Sequence, residues 1–377
     1  MVTAGIFAQR YASNGEERGT EFQVNTYTPN HQDTPAVCCD DQGNFVVVWE
    51  STLQDGENNG VFGQRFASDG TFRGTEFQIN TATNDDEKDP AICCDADGNF
   101  VVVWESYADG SNYGVFGQRF ASNGAFRGTE FQVNTYTPNY QENAKVCCSA
   151  SGSFVVVWES ESQDGDDDSV FGRRFASNGA FRGTEFQINT YTIGAQTRPD
   201  VCCDIAGDFA VVWQSSYQDG ADEGVFGQRF DSDGTPRGVE FQVNTYTPGG
   251  QDTPAICCDA NGDFVVAWES LDQDGDVEGV FARRFSRGGV ASSEFQVNTY
   301  TSGDQDSPAV ACDSQGNFVI VWDGDDRDSD HAGVFGQRFE LQALVPTPAL
   351  SLAGLVVGML ALLGAGMASL RRHRKGN

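Results

Sequence analysis

The chain has 377 residues and a formal net charge of −32, from 55 acidic and 23 basic side chains. A surface this acidic repels phosphate backbones, so nucleic-acid binding is disfavoured. The chain also contains 28 Phe and 44 Gly residues, a mixture that suits short strands joined by tight turns and argues against disorder.

The first predicted elements are two strands, GIFAQRY (5–11) and EFQVN (21–25), and near-copies of both return along the chain. The tryptophans recur at intervals of 55, 54, 55, 55 and 54 residues. The six of them are Trp49, Trp104, Trp158, Trp213, Trp268 and Trp322. A fixed period means that this chain is counted in repeated units rather than in ordinary domains.

The first complete unit contains four predicted strands. They are strand a (36–40), strand b (45–51), strand c (60–66) and strand d (76–80). Turns rich in Gly, Asn and Asp connect a to b and c to d, which is the chemistry of antiparallel hairpins. Strand b is apolar on both faces, so it is expected between two other layers. Strand d alternates and is expected to be half solvated.

Four strands in about 55 residues cannot close a core, so the units must stack on one another. An immunoglobulin-like sandwich needs about seven strands, and solenoid repeats are shorter. The sequence therefore predicts an all-β fold, a six-bladed β-propeller of four-stranded antiparallel blades over residues 1–340. The six tryptophans are expected to pack between neighbouring blades. The strand at 21–25 is expected to complete the last blade and close the ring, leaving the strand at 5–11 over.

Ten of the eleven cysteines occur as adjacent pairs. They are Cys38-Cys39, Cys93-Cys94, Cys147-Cys148, Cys202-Cys203 and Cys257-Cys258, and Cys312 stands alone. Neighbouring side chains on a strand point to opposite faces, so the two thiols of a pair do not meet easily. Buried free thiols are therefore expected, with disulfides or metal ligation as the alternatives.

The b–c loops are acidic and differ most between units. Aspartates alternate through two of them, and these six residues are the candidate metal ligands: Asp164, Asp166, Asp168, Asp272, Asp274 and Asp276. Hard oxygen ligands at this spacing suit Ca²⁺, the one cofactor that the sequence suggests. Solvated acidic turns are the alternative interpretation.

Strand c carries an arginine in every copy: Arg10, Arg65, Arg119, Arg174, Arg229, Arg284 and Arg338. A ring of arginines lining a ligand channel is one interpretation, and pairing with a carboxylate of the next blade is the favoured one. No unit carries a Ser/His/Asp or Cys/His set. A catalytic centre needs distinct groups at one point, whereas most positions here recur, so no catalytic residue is assigned and the chain is predicted not to be an enzyme.

After the repeats, a proline-containing linker (341–348) leads into an uncharged stretch (349–370) that is long enough as a helix to cross about 30 Å of hydrocarbon. The basic residues that follow are Arg371, Arg372, Arg374 and Lys375. The positive-inside rule places this tail (371–377) in the cytoplasm and the repeats outside. Export needs a signal segment that the first residues lack, so the true start of the reading frame is expected upstream.

The repeated motif DGNFVVVW…VFGQRF…EFQVNT resembles repeats of large exported bacterial proteins, a propeller-like class. The tail resembles the C-terminal sorting tails of the PEP-CTERM kind in layout, with VPTP in place of Pro-Glu-Pro. These resemblances imply display outside the cytoplasm, either anchored in the membrane or secreted after the tail is processed.

The sequence thus predicts a non-catalytic surface module that binds, adheres or builds structure. Its expected partners are the membrane, through the C-terminal helix, and an extracellular protein or glycan. The alternative is an extracellular propeller enzyme that acts on glycans, a hydrolase or lyase. Such an enzyme should concentrate non-repeating polar residues at one mouth of the ring, with carboxylates about 5–10 Å apart.

Overall fold

The computed structural model describes residues 4–83, 85–110, 112–325 and 333–340. These residues form five four-stranded sheets, one three-stranded sheet and one two-stranded sheet, all antiparallel. A single 3₁₀ turn at Tyr107–Asp109 is the one helical element in this part of the chain. The predicted six-bladed β-propeller of antiparallel four-stranded blades is confirmed.

The strands follow chain order in every blade from the inner strand a outward, ending in strand d in blades 1 to 5 and in strand c in the described part of blade 6. The N-terminal sheet consists of β1 (Phe7–Ala8) and β2 (Phe22–Gln23). Blades 1 and 2 consist of β3 (Gln32–Cys39), β4 (Phe45–Thr52), β5 (Asn59–Phe66) and β6 (Phe77–Gln78), then β7 (Glu87–Cys94), β8 (Phe100–Ser106), β9 (Gly114–Phe120) and β10 (Phe131–Gln132). Blades 3 and 4 consist of β11 (Gln141–Cys148), β12 (Phe154–Glu161), β13 (Asp168–Phe175) and β14 (Phe186–Gln187), then β15 (Gln196–Cys203), β16 (Phe209–Ser216), β17 (Glu223–Phe230) and β18 (Phe241–Gln242). Blades 5 and 6 consist of β19 (Gln251–Cys258), β20 (Phe264–Leu271), β21 (Glu278–Phe285) and β22 (Phe295–Gln296), then β23 (Gln305–Cys312), β24 (Phe318–Gly324) and β25 (Gly333–Phe339).

The core lies between neighbouring blades. In blade 3, Trp158 is fully buried and packs in one cluster with Val101 and Val103 of blade 2. Val157, on the opposite face of the same strand, belongs to the cluster shared with blade 4. A strand apolar on both faces is therefore covered from both sides, because its blade is stacked between two others. Each blade depends on its neighbours for its core.

Five disulfides join the inner strands of neighbouring blades. They are Cys38–Cys94, Cys93–Cys148, Cys147–Cys203, Cys202–Cys258 and Cys257–Cys312, with Cα–Cα distances of 5.5 to 5.7 Å. Cys39 carries a thiol. The prediction of buried free thiols is wrong. It considered each adjacent pair alone, but the two opposite-facing thiols of a strand reach two different neighbouring blades at ordinary disulfide spacing.

The ring closes through the N-terminal sheet. Strand β2 pairs with β1, with Phe7 opposite Gln23, so the strand at 21–25 does not complete the last blade as the sequence suggested. The guanidinium of Arg338 in blade 6 donates to the carbonyl of Ser13 in this sheet. On the other side, Arg10 donates to the Ser68 carbonyl of blade 1 at 2.9 Å. The two-stranded sheet thus contacts both the last and the first blade.

The arginine of strand c makes the same contact around the ring. In each case Nη1 donates to a backbone carbonyl in the c–d turn of the next blade: Arg65 to Ser122, Arg119 to Ser177, Arg174 to Ser232 and Arg229 to Arg287, at 2.7 to 3.1 Å. The predicted contact does reach the next blade, but the acceptor is a peptide carbonyl instead of a carboxylate. These arginines tie one blade to the next.

The predicted linker (341–348), membrane helix (349–370) and basic tail (371–377) lie outside the described residues. Within the ranges that the structure describes, no helix is both long and apolar enough to cross a membrane.

Candidate functional site

The two ends of the propeller channel differ. The a–b and c–d turns lie at one end, and the d–a and b–c loops lie at the other. At this second end, each blade pairs the beginning of strand a with the end of strand b. The pairs are Asp33 with Glu50, Lys88 with Glu105, Glu142 with Glu159, Thr197 with Gln214, Asp252 with Glu269, and Asp306 with Asp323. We call this ring of twelve residues the acidic mouth.

A β-bulge shapes the acidic mouth in every blade, because the a–b register shifts immediately after the paired strand-a residue. The next residue has a positive φ although it is not glycine: Thr34, Asp89, Asn143, Arg198, Thr253 and Ser307, with φ between 45° and 53°. The backbone N–H of Asn143 donates to Glu105 of the preceding blade at 2.6 Å. Bulges re-aim side chains, and strained backbone collects at functional sites. The strand-b carboxylates stabilise this conformation.

Between blades 4 and 5, four carboxyl groups come together, two from the acidic mouth and two from the first residues of strand c. We call Glu223, Asp252, Glu269 and Glu278 the Asp252 cluster. A Cβ atom at Gly250 would lie 3.4 Å from both Asp252 Oδ2 and Glu223 Oε2, so these two carboxylates flank the glycine. Burial, and then the charges of Glu269 and Asp252, raise the pKa of Glu278 to about 7. Burial also raises the pKa values of Asp252, Glu223 and Glu269.

Arg198 adds one positive charge to this sector. Its Nη1 donates to Thr253 Oγ1 at 3.3 Å. Burial raises the pKa values of Asp252 and Glu223, but the Arg198 charge opposes that rise at both carboxyls. The sector therefore holds Glu278, which keeps its proton to near neutral pH and is only half buried, beside Asp252 and Glu223, whose rise in pKa the Arg198 charge limits. Neighbouring carboxyls that ionise at different pH are the requirement for general acid and base catalysis.

A second sector, between blades 2 and 3, is built around Lys88. Its Nζ lies 3.0 Å from Glu105 Oε2, 3.7 Å from Asp89 Oδ2 and 3.8 Å from Glu142 Oε1. Burial alone would lower the pKa of Lys88, but the charge and hydrogen bond of Glu105 together with the charges of Glu142 and Asp89 outweigh burial, and the pKa is raised. Burial raises the pKa of Glu105 to about 7 despite this ammonium. Positions that carry acids in other blades thus hold an ion cluster here.

The candidate calcium ligands mostly bond to their own blades. Asp164 Oδ2 accepts from Gln187 Nε2 at 3.0 Å, and Asp274 Oδ2 accepts from Asn298 Nδ2 at 2.9 Å. Both amides belong to the outer strand region, so these aspartates fix the b–c loop to strand d.

The other candidates are equally dispersed. Asp166 and Asp276 accept from the backbone N–H groups of Gly194 and Gly303, Asp272 has φ 61°, and Asp168 begins β13. Among the described residues, no three His, Cys, Asp or Glu side chains are arranged to hold a metal ion. The calcium site stays a prediction.

The acidic mouth was not predicted from the sequence because the repeat units were judged uniform as wholes. Aligning the six units at the second position of the observed strand a gives Asp33, Lys88, Glu142, Thr197, Asp252 and Asp306. That position does not repeat, and the sequence alone contained this signal. It was missed because strand a was predicted to begin at residue 36, so Asp33 and its equivalents lay outside every predicted strand.

No protein-family model matches the chain, and no curated protein sequence matches it. Solved structures are similar to it in fold. A Dyadobacter fermentans protein of unknown function has a TM-score of 0.58 and 12% identity over 83% of this chain and 95% of its own. The GH93 α-L-arabinofuranosidase of Fusarium graminearum in complex with arabinobiose has 0.54 and 13% over 81% and 93%. The α-L-arabinanase of Penicillium chrysogenum complexed with arabinobiose has 0.55 and 13% over 81% and 93%.

These neighbours contradict the prediction of a non-catalytic surface module. Two of the three propellers just named are glycan-cleaving enzymes. The prediction rested on the uniformity of the repeats, and the acidic mouth is not uniform. Both findings favour the alternative that the sequence left open.

Proposed function

We propose that this propeller is a glycan-acting hydrolase and that its reaction takes place at the Asp252 cluster. The observation that carries the proposal is the meeting of Glu278, with its raised pKa, and Asp252 at a non-repeating sector of the channel mouth. The fold similarity to arabinofuranosidase and arabinanase propellers supports the same class of reaction.

Each carboxyl has a distinct role in this proposal. Glu278 is half buried and holds its proton to a pKa of about 7, so it donates that proton to the glycosidic oxygen as the bond to the anomeric carbon breaks. Asp252, whose charge Arg198 favours, takes a proton from the water that attacks the anomeric carbon. One proton is given and one is taken, and glycoside hydrolysis needs such a pair of carboxyls.

The proposal is tested with the purified full chain on a panel of neutral polysaccharides and 4-nitrophenyl glycosides, by measuring sugar release. Glu278→Gln and Asp252→Asn should each lower kcat by about 10²–10⁴, the usual contribution of a general acid or base. Activity should fall above about pH 7 as Glu278 loses its proton.

Glu57→Gln is the matched control, because Glu57 is an exposed carboxylate in the b–c loop of blade 1. It should leave kcat unchanged. A wild-type protein that releases no sugar from any member of the panel would overturn the proposal. So would equal kcat values for wild type, Glu278→Gln and Asp252→Asn.

We also propose that the propeller works outside the cytoplasm, anchored through residues 349–370 or released after processing. Five disulfides support an oxidising compartment, because reducing cytosol keeps thiols unpaired. Mass spectrometry of alkylated protein from the native cells tests this location. Modification of all cysteines without prior reduction would contradict it.

A further inference from the structure

Three tyrosines form an exposed aromatic surface beside Lys88. Tyr107 and Tyr113 meet edge to face, with ring centroids 5.0 Å apart, and Tyr113 and Tyr140 lie 6.3 Å apart. Tyr107 is 46% exposed and Tyr140 is 41% exposed, so both present large apolar rings to solvent. We call these three residues the tyrosine platform. It joins the b–c loop of blade 2 to the d–a loop of blade 3.

The platform is held by polar contacts at its centre. The Tyr113 hydroxyl donates to Asp86 Oδ2 at 2.7 Å, and Lys88 Nζ lies 4.1 Å from the centre of the Tyr113 ring. A cation over an aromatic face is attracted to the ring, and the hydrogen bond from the Tyr113 hydroxyl to Asp86 restricts the orientation of the ring. The central ring is therefore oriented before any ligand arrives.

The platform exists because blade 2 departs from the other repeats. In blade 3, Gln163 of the b–c loop donates to Glu185 of the strand-d region at 2.6 Å. Blade 2 has Ala108 at that place and forms a 3₁₀ turn instead, in which Ser106 Oγ accepts from the Ala108 N–H at 3.2 Å. The altered loop presents Tyr107 next to Tyr113.

The chemistry of the platform favours an uncharged sugar ring. A pyranose or furanose has an apolar C–H face that covers an aromatic ring and hydroxyl edges that donate to carboxylates. Asp89 and Glu142 stand beside the platform with side chains 41% and 32% exposed. A sugar acid would face these carboxylates on a chain of net charge −32. Its own carboxylate would be repelled by them, because like charges repel.

We infer that the tyrosine platform is a second saccharide-binding subsite, which holds an uncharged sugar unit of a chain whose scissile bond lies at the Asp252 cluster. The inference rests on the proposed function. In ring order the platform at blades 2 and 3 and the Asp252 cluster at blades 4 and 5 are two blade interfaces apart, because the inner strands of consecutive blades are neighbours. A ligand that uses both places has to be an oligosaccharide or polysaccharide, so the platform selects for chain length.

The test compares wild type with the double variant Tyr107→Ala/Tyr140→Ala by calorimetric titration with neutral arabino-, xylo-, manno- and cello-oligosaccharides of two to six units. Wild type should bind at least one six-unit chain about tenfold or more tightly than its two-unit form, and the double variant should lose that advantage. Tyr217→Ala is the matched control, because Tyr217 is 69% exposed in the corresponding loop of blade 4. Sialylated oligosaccharides should bind more weakly than neutral ones.

Kinetics separate this inference from the proposed function. The double variant should raise KM for the polymer and leave kcat on a small nitrophenyl glycoside unchanged. Binding of neutral chains without any cleavage would contradict the proposed hydrolase activity but would still support saccharide binding at the tyrosine platform. Length-independent affinity, equal affinity in the double variant, tighter binding of sialylated chains, or no binding by any neutral chain would each overturn the platform.

Discussion

The two ends of the propeller channel are built from the same repeats but differ in how uniform their residues are from blade to blade. At the end with the a–b and c–d turns, the same cysteines and the same arginine contacts recur from blade to blade. At the acidic mouth, equivalent positions hold Asp, Lys, Glu or Thr. Cohesion between blades needs identical contacts, whereas recognition and chemistry need different groups at neighbouring points. The repeated contacts hold the ring together at one end, and the varied residues at the other end are where the proposed reaction takes place.

The largest expected effect comes from removing one crosslink at the repeated end. Cys147→Ala/Cys203→Ala deletes a disulfide that spans 56 residues of sequence and should lower the free energy of unfolding by about 4 kcal/mol. Denaturant titration without reductant measures it. Saccharide affinity at the acidic mouth should stay unchanged, since the cysteines lie next to the a–b turns.

Reductant provides the control for this variant. With all five disulfides reduced, wild type and double variant should unfold at nearly the same denaturant concentration. An equal gap with and without reductant would mean that lost packing, and not the crosslink, causes the destabilisation.

A smaller effect is expected at the mouth end, at Glu87. This residue is fully buried, accepts from Asn80 Nδ2 at 3.0 Å, and stands where five other units have glutamine. Burial, and then the Asp55 charge, raise its pKa to about 8. The folded state therefore holds a proton that the unfolded chain releases near pH 4.5, so this group lowers stability as pH rises from about 4.5 to 8.

Glu87→Gln removes that dependence and restores the repeat. Its melting temperature should exceed that of wild type by a few degrees at pH 8 and by less at pH 5. Scanning calorimetry at the two pH values measures the difference. A variant that gains equally at both pH values would show that ionisation of Glu87 is not the cause.

The smallest effect compares the two ends within blade 3. Gly179 in the c–d turn and Gly165 in the b–c loop both have positive φ, 84° and 100°. A Cβ at Gly179 would lie 2.5 Å from Arg119 Nε, whereas a Cβ at Gly165 meets nothing within 4 Å. Both alanine variants should pay the backbone strain of about 1 kcal/mol, and Gly179→Ala should lose about 1 kcal/mol more because the Arg119 contact is disturbed. Equal melting temperatures for Gly179→Ala and Gly165→Ala would show that the Arg119 contact does not make the c–d turn more sensitive than the b–c loop.

Much of the fold was predictable because it depends on local pattern. The period, the hairpin turns and the doubly apolar strand b are properties of short stretches, and strand b was placed at 45–51 against the observed Phe45–Thr52. Strand a was predicted at 36–40, but it begins at Gln32. Pro35 lies inside this inner strand, where the bulge accommodates a residue without a backbone N–H.

That misplaced boundary explains the missed site. Asp252 and its equivalents precede the predicted strand a, so their alignment around the channel was not apparent. The disulfides were missed for another reason, since Cys147 bonds to a strand 56 residues further on. Which blades are neighbours follows from the period, but the register between neighbouring inner strands is a property of the assembled ring.

The five crosslinks have a consequence for cleavage of the chain by proteases. They connect all six inner strands in series, so a backbone cut in any outer loop between two crosslinked strands leaves both fragments covalently attached. A chain that is cleaved once in such a loop therefore remains a single covalent molecule.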